Sequence, residues 1–316
     1  MIDRKLITVV IPCFKVDKHI ETVIASVPKY VDYIIAVDDA CPNNSGGIVK
    51  ALNNEKVLIE YHKKNQGVGG AVITGFKKAL ILQSDIVVKL DGDGQMDQNR
   101  IIDLITPLTQ DKADYAKGNR FHDFKALKQM PNTRLFGNSV LSFATKATSG
   151  YWDIMDPTNG FFAIHKNALS ELNLDKIEKR YFFETDMLIN LNIINKVVTD
   201  VSIPAIYNDE ESNLSIRRVL VSFPQRILKG IFKRLFYKYY IYNFNMASIY
   251  LLISIPLLLF GIIFGIFKWS YGISENTENN AGTIMLAALP IILGIQFLLQ
   301  AIQIDINSIP KKDIAS

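Results

Sequence analysis

Two long uncharged runs near the C-terminal end constrain the fold of this chain more than any other sequence feature. Residues 246–267 and residues 281–304 contain no Asp, Glu, Lys or Arg, and each run is long enough to cross the apolar core of a bilayer as a helix. Pro256 lies inside the first run, which a membrane helix tolerates. We therefore predict membrane-spanning helices at residues 245–268 and 281–304, joined by a polar loop at residues 269–280. Because neither run carries a charge, a proton or ion transport path is not expected.

The charges around these runs predict their orientation. Basic residues precede the first run, and Lys311 and Lys312 follow the second. The connection between the runs balances one lysine with Glu275 and Glu278. Because positive charge marks the cytosolic side of membrane helices, we expect both chain termini, including the tail at residues 305–316, to lie in the cytosol.

Residues 213–244 form a basic segment in which no acidic residue occurs and basic residues alternate with Val, Leu, Ile, Phe and Tyr. This pattern is typical of amphipathic helices that lie on an anionic membrane surface. We expect one or two such helices, with Pro224 separating them. The basic residues concerned are Arg217, Arg218, Arg226, Lys229, Lys233, Arg234 and Lys238.

Residues 1–212 alternate short apolar, β-branched runs with helical patterns. Such alternation predicts an α/β domain with a doubly wound, mostly parallel sheet, and the chain of 316 residues is long enough for this domain and a membrane appendage. Asp17 is a possible cap of the first helix. The predicted strands cover residues 6–11, 33–37, 57–61, 86–90, 115–118 and 197–207, and the predicted helices cover residues 16–27, 48–52, 71–83, 101–109 and 181–191.

Composition narrows the class of protein further. A formal net charge of +4 is too weak to indicate a nucleic-acid-binding protein. The two cysteines, Cys13 and Cys41, fit no zinc-binding spacing and no disulfide framework. No signal peptide opens the chain, so we expect the N-terminal domain to stay in the cytosol.

The most chemically specific stretch is residues 86–95, in which Asp91 and Asp93 follow an apolar run and have glycines beside them. If the run is a buried parallel strand, the two carboxylates lie at its carboxyl end, where open α/β sheets bind ligands. Asp-x-Asp at such an edge can hold Mg²⁺ or Mn²⁺, with water and substrate phosphates completing the shell. We therefore predict a platform for a metal ion and a diphosphate; the simpler alternative is a polar turn after a strand.

Two further polar stretches follow predicted strands. Asp38 and Asp39 follow the second strand, where they either cap the next helix or contact a ribose or a base. Residues 65–75 form a glycine-rich loop that lacks the Gly-Lys-Ser/Thr ending of a P-loop. This loop either permits close approach of an anion at a helix N-terminus or is a plain tight turn.

Several later residues are also candidates for a site. Arg120 and Arg134 suit bidentate phosphate binding, although exposed arginines are more often only solvated. Asp156 opens a tight Asp-Pro-Thr-Asn-Gly loop. Glu184 and Asp186 begin a predicted helix, either as first-turn acids or as carboxylates of a site.

Taken together, these motifs resemble those of the polyprenyl-phosphate glycosyltransferases of glycosyltransferase family 2, which include dolichyl-phosphate mannose synthase. The two-helix tail matches one architecture within that family. The matching stretches are Ile11-Pro12-Cys13-Phe14, Val37-Asp38-Asp39, Asn65-x-Gly67-x-Gly69-x-Ala71 with Gly75, Asp91-x-Asp93-x-Gln95, Gly118-Asn119-Arg120, Asp156-x-x-Asn159-Gly160-Phe161 and Phe183-Glu184.

The resemblance implies a GT-A fold with a nucleotide-sugar bound across the first half of the sheet. It assigns the nucleotide to Pro12, Phe14, Asp17, Asp38, Asp39, Asn65 and Gly67, the metal and the diphosphate to Asp91 and Asp93 with Gln95 beside them, and the acceptor phosphate to Arg120 and Arg134. One stretch departs from the family. Members often carry an Arg and a Ser-Lys pair after the late strand, whereas residues 207–215 lack both, so Arg217 or Arg218 would have to replace that diphosphate clamp.

The implied reaction moves a sugar with inversion from a nucleotide-sugar to polyprenyl phosphate, and we favour UDP over GDP in the donor. Because a lipid phosphate is already ionised at neutral pH, alignment and neutralisation of the leaving diphosphate matter more than a general base. Asp156 would position the acceptor or the metal, or accept a proton from a hydroxyl acceptor. The resemblance also implies a homo-tetramer packed through the spans, and we expect the bacterial inner membrane as its location.

Two other functions fit the same residues. A transferase that acts on a sugar hydroxyl of a lipid-linked glycan or polysaccharide needs a true base, for which Glu184 or Asp186 is the candidate. A catalytically silent, membrane-tethered scaffold that only binds a nucleotide-sugar is disfavoured by the intact Asp91-x-Asp93 motif. Activity on bare polyprenyl phosphate separates these alternatives.

Overall fold

The computed structural model of the chain describes residues 5–120, 132–157, 159–204 and 216–312. The chain divides into two compact units, one formed by Met1–Arg234 with Pro310–Ser316 and the other by Leu235–Ile309. The first unit continues past residue 212, where the sequence predicted its end, because much of the basic segment packs against it.

The first unit is built on seven described strands, β1 (Ile7–Cys13), β2 (Tyr33–Asp38), β3 (Val57–Tyr61), β4 (Ile86–Lys89), β5 (Tyr115–Asn119), β6 (Phe162–His165) and β7 (Val198–Ser202). They form a sheet in the order β3-β2-β1-β4-β6-β5-β7. Strand β6 is antiparallel to both of its neighbours, and the other neighbouring pairs are parallel. The predicted α/β fold with a mostly parallel sheet is therefore confirmed.

Apolar, β-branched residues place the central strands in the core. Every residue of β1 and β4 is buried, as expected for strands of a parallel sheet that is covered on both faces. The register pairs Cys13 of β1 with Asp38 of β2, and Val10 of β1 with Lys89 of β4. The carboxyl ends of these three strands therefore meet at one edge of the sheet.

The described helices of the first unit are α1 (Ile20–Ser26), α2 (Ser45–Ala51), α3 (Val68–Ile81), α4 (Ile101–Thr109), α5 (Asn132–Ser149), α6 (Lys166–Glu171), α7 (Phe183–Ile193) and α8 (Ile216–Phe236), the last of which continues into the second unit. Helix α1 begins later than predicted, because the carbonyl of Val16 accepts the N–H groups of His19 and Ile20 in a preceding turn. The N-cap of α1 is His19, so the prediction that Asp17 caps this helix is wrong.

Helix α8 is continuous where the sequence predicted a break. Pro224 lies inside the helix and does not separate two helices. The chain downstream is held by close packing, since a Cβ on Gly230 would lie 2.7 Å from a side-chain carbon of Thr148 and 2.8 Å from one of Ile189.

Arg234 of α8 is almost completely buried and closes the C-terminal end of α5. Its Nε donates to the carbonyl oxygen of Thr148 at 2.9 Å, and its Nη2 donates to the carbonyl oxygen of Ala147 at 3.0 Å. The last carbonyls of a helix have no partner within the helix, and a cation there also interacts favourably with the helix dipole. Arg234 is thus a structural residue of the first unit.

Two more basic residues of α8 also pair with the first unit. Lys233 Nζ lies 3.2 Å from Asp186 Oδ1, and Arg226 Nη1 lies 3.5 Å from Glu178 Oε2. The prediction of an anionic membrane contact is therefore wrong for Arg234, which is buried. Lys233 and Arg226 are partly exposed, and their contact with a membrane stays a prediction.

The outward face of α8 is instead mainly apolar. Leu228 and Phe232 are exposed there, one turn apart, with Lys229 beside them. The side chains of Arg217 and Arg218 lie outside the described residues. Helix α8 is amphipathic as predicted, but its apolar side points away from the protein.

The second unit contains a π-helical segment (Tyr237–Tyr242) and two long helices, α9 (Met246–Ser274) and α10 (Ala281–Asn307). Both helices run past their predicted ends, so that residues 275–280 alone connect them and Trp269 and Tyr271 lie on α9. Residues 268–274 contain no proline, and their polar side chains are compatible with further exposed turns of helix.

Small residues allow α9 and α10 to pack closely. A Cβ on Gly261 would lie 2.9 Å from the carbonyl oxygen of Ala287, and Ser254 Oγ donates to the carbonyl oxygen of Gly294 at 2.9 Å. The most apolar 18-residue windows of the two helices are only 11% and 6% buried. Buried core helices would show the opposite, so these two helices fit insertion into a membrane.

Candidate active site

The topology of the sheet brings the predicted site residues to one edge. Asp39 follows β2, Asp91 follows β4 and Arg120 follows β5, all at carboxyl ends of parallel strands. Because β6 runs the opposite way, the loop of residues 151–161 that enters β6 reaches the same edge. Ligands of open α/β sheets bind at such an edge.

The centre of this edge is an ion pair between Lys89 and Asp91. Lys89 Nζ lies 2.7 Å from Asp91 Oδ1, and the lysine side chain is 1% exposed while that of Asp91 is 27% exposed. The lysine therefore fixes one oxygen of a carboxylate that solvent can reach. Sequence reasoning missed Lys89, although a lysine inside an apolar strand is a visible signal, since such a charge is buried only when paired.

The loop before β6 lies directly against this ion pair. A Cβ on Gly160 would lie 2.4 Å from Lys89 Nζ and 3.0 Å from Asp91 Oδ2. Glycine is required here because any side chain would displace one member of the pair. The motif Asn159-Gly160 thus positions the carboxylate of Asp91.

Asn159 ties the same loop to β5. Its Nδ2 donates to the carbonyl oxygen of Gly118 at 2.8 Å, and its Oδ1 accepts the N–H of Phe161 at 3.0 Å. Its carbonyl oxygen accepts a hydrogen bond from Lys117 Nζ at 2.5 Å. These bonds join the end of β5 to the backbone that supports Asp91.

Lys117, which is buried, and Glu184, which is half-buried, form a second layer of charge behind this edge. Burial lowers the pKa of Lys117 to about 8, although the negative charges of Glu184 and Asp156 oppose the shift. Burial raises the pKa of the Glu184 carboxyl, against the positive charges of Lys89 and Lys117. Glu184 is therefore electrostatically coupled to the Asp91 region, whereas the sequence left it as either a dipole acid or a site carboxylate.

Asp186, the neighbouring acid on α7, has a structural role. Its Oδ2 accepts the N–H of Glu178 at 2.9 Å, and its Oδ1 accepts a hydrogen bond from Lys233 at 3.2 Å. Both oxygens are thus engaged in holding α7 to its surroundings. Of the two acids proposed from the sequence, Glu184 is the one coupled to the candidate site.

Arg120 and Asp156 form a bidentate pair at the other end of the site. Asp156 is fully buried, and its Oδ2 and Oδ1 accept hydrogen bonds from Arg120 Nε at 2.8 Å and Nη2 at 3.2 Å. The Arg120 side chain is 42% exposed, and the bidentate pair fixes its orientation at the surface. Sequence reasoning proposed the two residues separately and did not foresee the pair. The side chain of Arg134, the predicted partner of Arg120, lies outside the described residues.

Asp200 of β7 supports the loop that carries Asp156. Its Oδ2 accepts the N–H of Met155 at 2.7 Å and a hydrogen bond from Asn119 Nδ2 at 3.0 Å. Its Oδ1 is buried and has no hydrogen-bond partner among the described residues. Burial raises the pKa of Asp200 to about 6. Asp200 was not singled out from the sequence, because a single aspartate within a short strand matches no motif of a site.

On the nucleotide side of the predicted site, Asp38 is engaged with its own loop. Asp38 Oδ1 accepts the N–H of Cys41 and Oδ2 accepts the N–H of Gly46, both at 2.7 Å. Gly46 is in the first turn of α2, so Asp38 accepts an N–H of that turn, although the N-cap residue of the helix is Asn44. A contact of Asp38 with a nucleotide stays a prediction.

Asp39 holds the glycine-rich loop in place. It is almost fully buried, its Oδ1 lies 2.6 Å from His62 Nδ1 and 2.8 Å from the N of Gln66, and its Oδ2 accepts the N–H of Gly67 at 2.8 Å. Asn65 Nδ2 donates to the carbonyl oxygen of Asp39 at 3.2 Å. Asp39 therefore shapes the predicted nucleotide loop, and its direct contact with ribose stays a prediction.

The glycines of this loop allow a close approach of protein backbone. A Cβ on Gly67, whose φ is +90°, would lie 2.7 Å from the carbonyl oxygen of Lys179, and one on Gly69 would lie 2.7 Å from that of Glu178. The N–H of Gly70 donates to the Lys179 carbonyl at 3.0 Å. Packing against the backbone of Glu178 and Lys179 thus accounts for these glycines, and the approach of an anion to this loop stays a prediction.

The remaining predicted nucleotide contacts differ in accessibility. Pro12 is buried within β1, whereas the Phe14 ring is exposed, with Lys15 Nζ 5.6 Å from its centroid. Asp17 Oδ1 accepts a hydrogen bond from Asn43 Nδ2 at 2.7 Å. Phe14 and Asp17 are accessible to a ligand at this edge, and their role in binding a base or ribose is still a prediction.

The donor set at Asp91 and Asp93 fits a cation that arrives with substrate phosphate. Among the described residues, no group of three or more His, Cys, Asp or Glu side chains could hold a metal. Asp93 Oδ1 accepts the N–H of Gln95 at 3.0 Å, and Asp91 Oδ1 is bound to Lys89. Carboxylate and amide oxygens, as carried by Asp91, Asp93 and Gln95, are hard ligands of the kind Mg²⁺ and Mn²⁺ take, with water and phosphate oxygens completing the shell.

Sequence comparison assigns this site to a family. The sequence profile described as "Glycosyl transferase family 2" matches residues 8–172. A UDP-N-acetylglucosamine–dolichyl-phosphate N-acetylglucosaminyltransferase of Methanococcus voltae is 36% identical over 220 residues, which cover 65% of this chain and 87% of that protein. An undecaprenyl-phosphate mannosyltransferase of Micrococcus luteus is 27% identical, over 54% of this chain and 70% of that protein.

Comparison with solved structures supports the fold. Mannosyl-3-phosphoglycerate synthase from Rubrobacter xylanophilus aligns with a TM-score of 0.55 at 13% identity, over 76% of this chain and 77% of that one. At this identity the likeness speaks for the fold alone, and it agrees with the GT-A class predicted from the sequence.

Proposed function

The chain belongs to glycosyl transferase family 2, and we propose that it transfers N-acetylglucosamine from UDP-N-acetylglucosamine to a polyprenyl phosphate. The observation that carries this proposal is the presence of two charged pairs at one edge of the sheet. Lys89–Asp91 lies at the end of β4, and Arg120–Asp156 lies at the end of β5. The first pair suits a leaving diphosphate and the second suits an acceptor phosphate.

The donor is inferred from the relative with the highest identity reported above. That relative is named for UDP-N-acetylglucosamine and dolichyl phosphate, and it is aligned over 87% of its length. Asp91 and Asp93, with Gln95, would hold Mg²⁺ or Mn²⁺ against the diphosphate, and the cation would neutralise charge on the leaving group. The buried ammonium of Lys89 keeps the Asp91 carboxylate oriented for that role.

The chemistry follows from the charge of the acceptor. An oxygen of the ionised polyprenyl phosphate forms a bond to the anomeric carbon while the bond from that carbon to the diphosphate breaks, and UDP leaves. Attack from the face opposite the leaving group inverts the anomeric centre. Arg120, held by Asp156, would align the attacking phosphate, and no proton has to be removed from it.

The electrostatic environment of Glu184 favours a second class of acceptor, the sugar hydroxyl of a lipid-linked glycan. Glu184 interacts electrostatically with Lys89 and Lys117, and burial raises the pKa of its carboxyl above the ordinary value, which is the direction that suits a general base. Such a base is required if the acceptor is a sugar hydroxyl of a lipid-linked glycan. In that case Glu184, rather than Asp186, is the candidate base, because both oxygens of Asp186 are engaged.

We further propose that α9 and α10 cross the membrane as a hairpin with the first unit in the cytosol. Lys312 follows the second helix and lies 2.5 Å from Asp111 and 3.1 Å from Asp114, which belong to the first unit. These ion pairs raise the pKa of Lys312 above its ordinary value despite partial burial. A chain that enters and leaves the membrane on the same side explains why residues on both sides of the hairpin share one unit.

Product formation by the purified full-length protein tests the proposal. The protein is incubated with undecaprenyl or dolichyl phosphate and a panel of UDP- and GDP-sugars, with Mg²⁺, with Mn²⁺ or with chelator. We expect a glycolipid that requires the cation and forms best from UDP-N-acetylglucosamine. If UDP-N-acetylglucosamine binds but no polyprenyl phosphate is glycosylated, the proposal is wrong. Transfer to a lipid-linked glycan would then favour the hydroxyl acceptor, and absence of transfer to any acceptor would favour the scaffold.

A further inference from the structure

His62, which follows β3, is bonded through both nitrogens of its ring. Its Nδ1 lies 2.6 Å from Asp39 Oδ1, and its Nε2 lies 2.8 Å from Thr74 Oγ1 on α3. The side chains of His62 and Asp39 are only 6% and 3% exposed. The N–H of His62 donates to the carbonyl oxygen of Asp38 at 2.8 Å, which fixes the backbone as well. The protonation state of a ring held in this way follows from its partners.

The hydrogen bond made by Thr74 determines whether Nε2 carries a proton. Thr74 Oγ1 donates its only proton to the carbonyl oxygen of Gly70 at 3.2 Å, so it accepts the hydrogen bond from His62. The Asp39 carboxylate can only accept, so Nδ1 also carries a proton. A ring that is protonated on both nitrogens is the imidazolium cation.

Each neutral form of the ring conflicts with these contacts. A proton on Nε2 alone would set the lone pair of Nδ1 against a carboxylate oxygen at 2.6 Å. A proton on Nδ1 alone would turn the Thr74 hydroxyl toward Nε2 and break its bond to Gly70. The cation also compensates the buried charge of Asp39, which has no other ion-pair partner among the described residues.

The other charged groups on the elements around the ring are compensated or exposed. Lys78 Nζ on α3 lies 2.9 Å from Glu60 Oε1 on β3. Both carboxylate oxygens of Asp38 accept N–H groups of their own loop. The exposed groups are Lys63, Lys64 and Lys77. Asp39 is therefore the charge that pairs with the ring.

Asp39 connects the ring to the glycine-rich loop. Its Oδ1 also accepts the N–H of Gln66, and its Oδ2 accepts the N–H of Gly67, both at 2.8 Å. The loop leads from the carboxyl end of β3 into α3, on the side of the sheet where the nucleotide is predicted to bind. A loop that is fixed before a ligand arrives loses less conformational entropy on binding.

We propose that His62 is a positioning residue, a buried imidazolium that holds Asp39 and, through it, the glycine-rich loop in the conformation that binds the nucleotide-sugar. The proposal rests on the proposed function. Loss of the Nε2 proton leaves Asp39 without a cation and weakens the hold on Gln66 and Gly67. The KM for the donor should therefore rise as His62 loses this proton, whereas kcat should change little because the ring is buried behind Asp39.

Nuclear magnetic resonance of full-length protein in detergent, with ¹⁵N-labelled histidine, reads the protonation of the ring directly. The chain has four histidines, and the signals that disappear in His62→Asn belong to His62. We expect both ring nitrogens of His62 to carry protons at the pH where the KM for UDP-N-acetylglucosamine is lowest. The midpoint of their titration should match the midpoint of the rise in KM. A single protonated nitrogen at the pH of lowest KM overturns the proposal.

His62→Asn and His62→Gln remove the charge and keep an amide that can donate a hydrogen bond. We expect each to raise the KM for UDP-N-acetylglucosamine by about tenfold, to change kcat by no more than about twofold, and to lose the rise in KM that follows the titration of His62. Binding of UDP measured by calorimetry should weaken by the same factor.

Thr74→Val keeps the branched shape of the side chain and removes the acceptor of the Nε2 proton. The cation is then less favoured, so the rise in KM should begin at a lower pH than in wild type. His165→Asn is the matched control, because His165 ends β6 at the edge of the sheet opposite the site. It should leave the pH profile of KM unchanged.

Wild-type KM values and pH profiles in both His62 variants overturn the proposal while transfer itself, and so the proposed function, stands. A fall in kcat without a rise in KM also overturns it. If the His62 variants do not fold, the signals of the wild-type ring and the pH profile of Thr74→Val decide the matter. If wild type neither binds UDP nor transfers sugar, the proposed function fails, and the ring signals still report whether His62 is an imidazolium.

Discussion

Lys89 and Asp91 lie two residues apart on the same strand end, and their ion pair of 2.7 Å joins a fully buried cation to a carboxylate that solvent can reach. The pairing leaves Asp91 with a defined orientation before any ligand binds. Preorganised charged groups contribute more to catalysis than groups that must reorient during the reaction. Because Gly160 lies against this ion pair and has no side chain, a substitution at Gly160 tests the role of the pair without changing either of its residues.

Gly160→Ala should reduce turnover with a modest effect on folding. The new Cβ would lie 2.4 Å from Lys89 Nζ and 3.0 Å from Asp91 Oδ2, so the pair must separate. We expect kcat/KM to fall by more than about tenfold and the free energy of unfolding to fall by about 1–3 kcal/mol. Gly282→Ala is the control, since its Cβ would meet only an ordinary contact of 3.5 Å with Asn280. Equal activity of Gly160→Ala and wild type would show that the pair does not orient Asp91 for the reaction.

Asp200→Asn should increase stability at neutral pH. Burial raises the pKa of Asp200 to about 6, so folding favours its protonated form. Its contribution to stability is fully present below the unfolded pKa of about 4 and is lost as the pH rises through 6. We therefore expect the variant to unfold with about 1–3 kcal/mol more free energy than wild type at pH 7, with the difference disappearing by about pH 4.

Asp175→Asn is the control for this experiment, because the pKa of Asp175 is shifted in the opposite direction. The hydrogen bond from Lys77 lowers the pKa of the exposed Asp175, so its ionised form is the one favoured by folding. This variant should not be more stable than wild type at any pH. If thermal unfolding shows the same pH profile for Asp200→Asn and wild type, burial of Asp200 does not have the assigned effect.

Arg234→Met tests whether the basic face of α8 is structural. The substitution keeps much of the side-chain volume but leaves the carbonyl groups of Thr148 and Ala147 buried without their donor. We expect the free energy of unfolding to fall by about 2–4 kcal/mol. Lys229→Met, at an exposed position on the same helix, should stay within about 0.5 kcal/mol of wild type. A loss of membrane binding without a loss of stability in Arg234→Met would instead support the membrane-facing role first predicted for this residue.

Cysteine labelling tests the topology of the membrane hairpin. Glu278→Cys lies in the connection between α9 and α10, and Lys311→Cys follows α10. A membrane-impermeant maleimide should label Glu278→Cys in intact cells and Lys311→Cys only after permeabilisation. Wild type, whose Cys13 is buried and Cys41 partly buried, measures the background labelling of the native cysteines. Labelling of Lys311→Cys from outside would contradict the proposed hairpin.

The mostly parallel sheet and the edge that carries the site could be predicted, because buried parallel strands read as short apolar runs and their carboxyl ends share one side. The strand order, with antiparallel β6 between β4 and β5, was not predicted. Element ends were less predictable, since contacts distant in sequence set them. Helix α8 continues through Pro224 and packs on the first unit at Gly230 and Arg234, and a turn at Val16 delays α1.

Within the site, the sequence identified several of the residues but did not predict which of them form pairs. Asp91, Arg120 and Asp156 were each proposed from motifs, but their pairing depends on the loop before β6, whose path is a property of the fold. Lys89 and Lys117 were missed because the lysines within these strands were not weighed as buried charges that require a partner. Conversely, the glycines at 67 and 69 have a packing explanation that no local pattern reveals, since their neighbour is the segment around Lys179.

The most direct measurement of the central claim is transfer of sugar from UDP-N-acetylglucosamine to undecaprenyl phosphate by Asp91→Asn and Asp93→Asn, beside Mn²⁺ binding followed by electron paramagnetic resonance. Asp103→Asn is the matched control, since Asp103 forms a surface ion pair with Arg100 on α4. The account predicts that both site variants lose turnover by about a hundredfold or more and bind Mn²⁺ with donor more weakly, while still inserting into membranes. Turnover and Mn²⁺ binding equal to those of wild type in both site variants would contradict it.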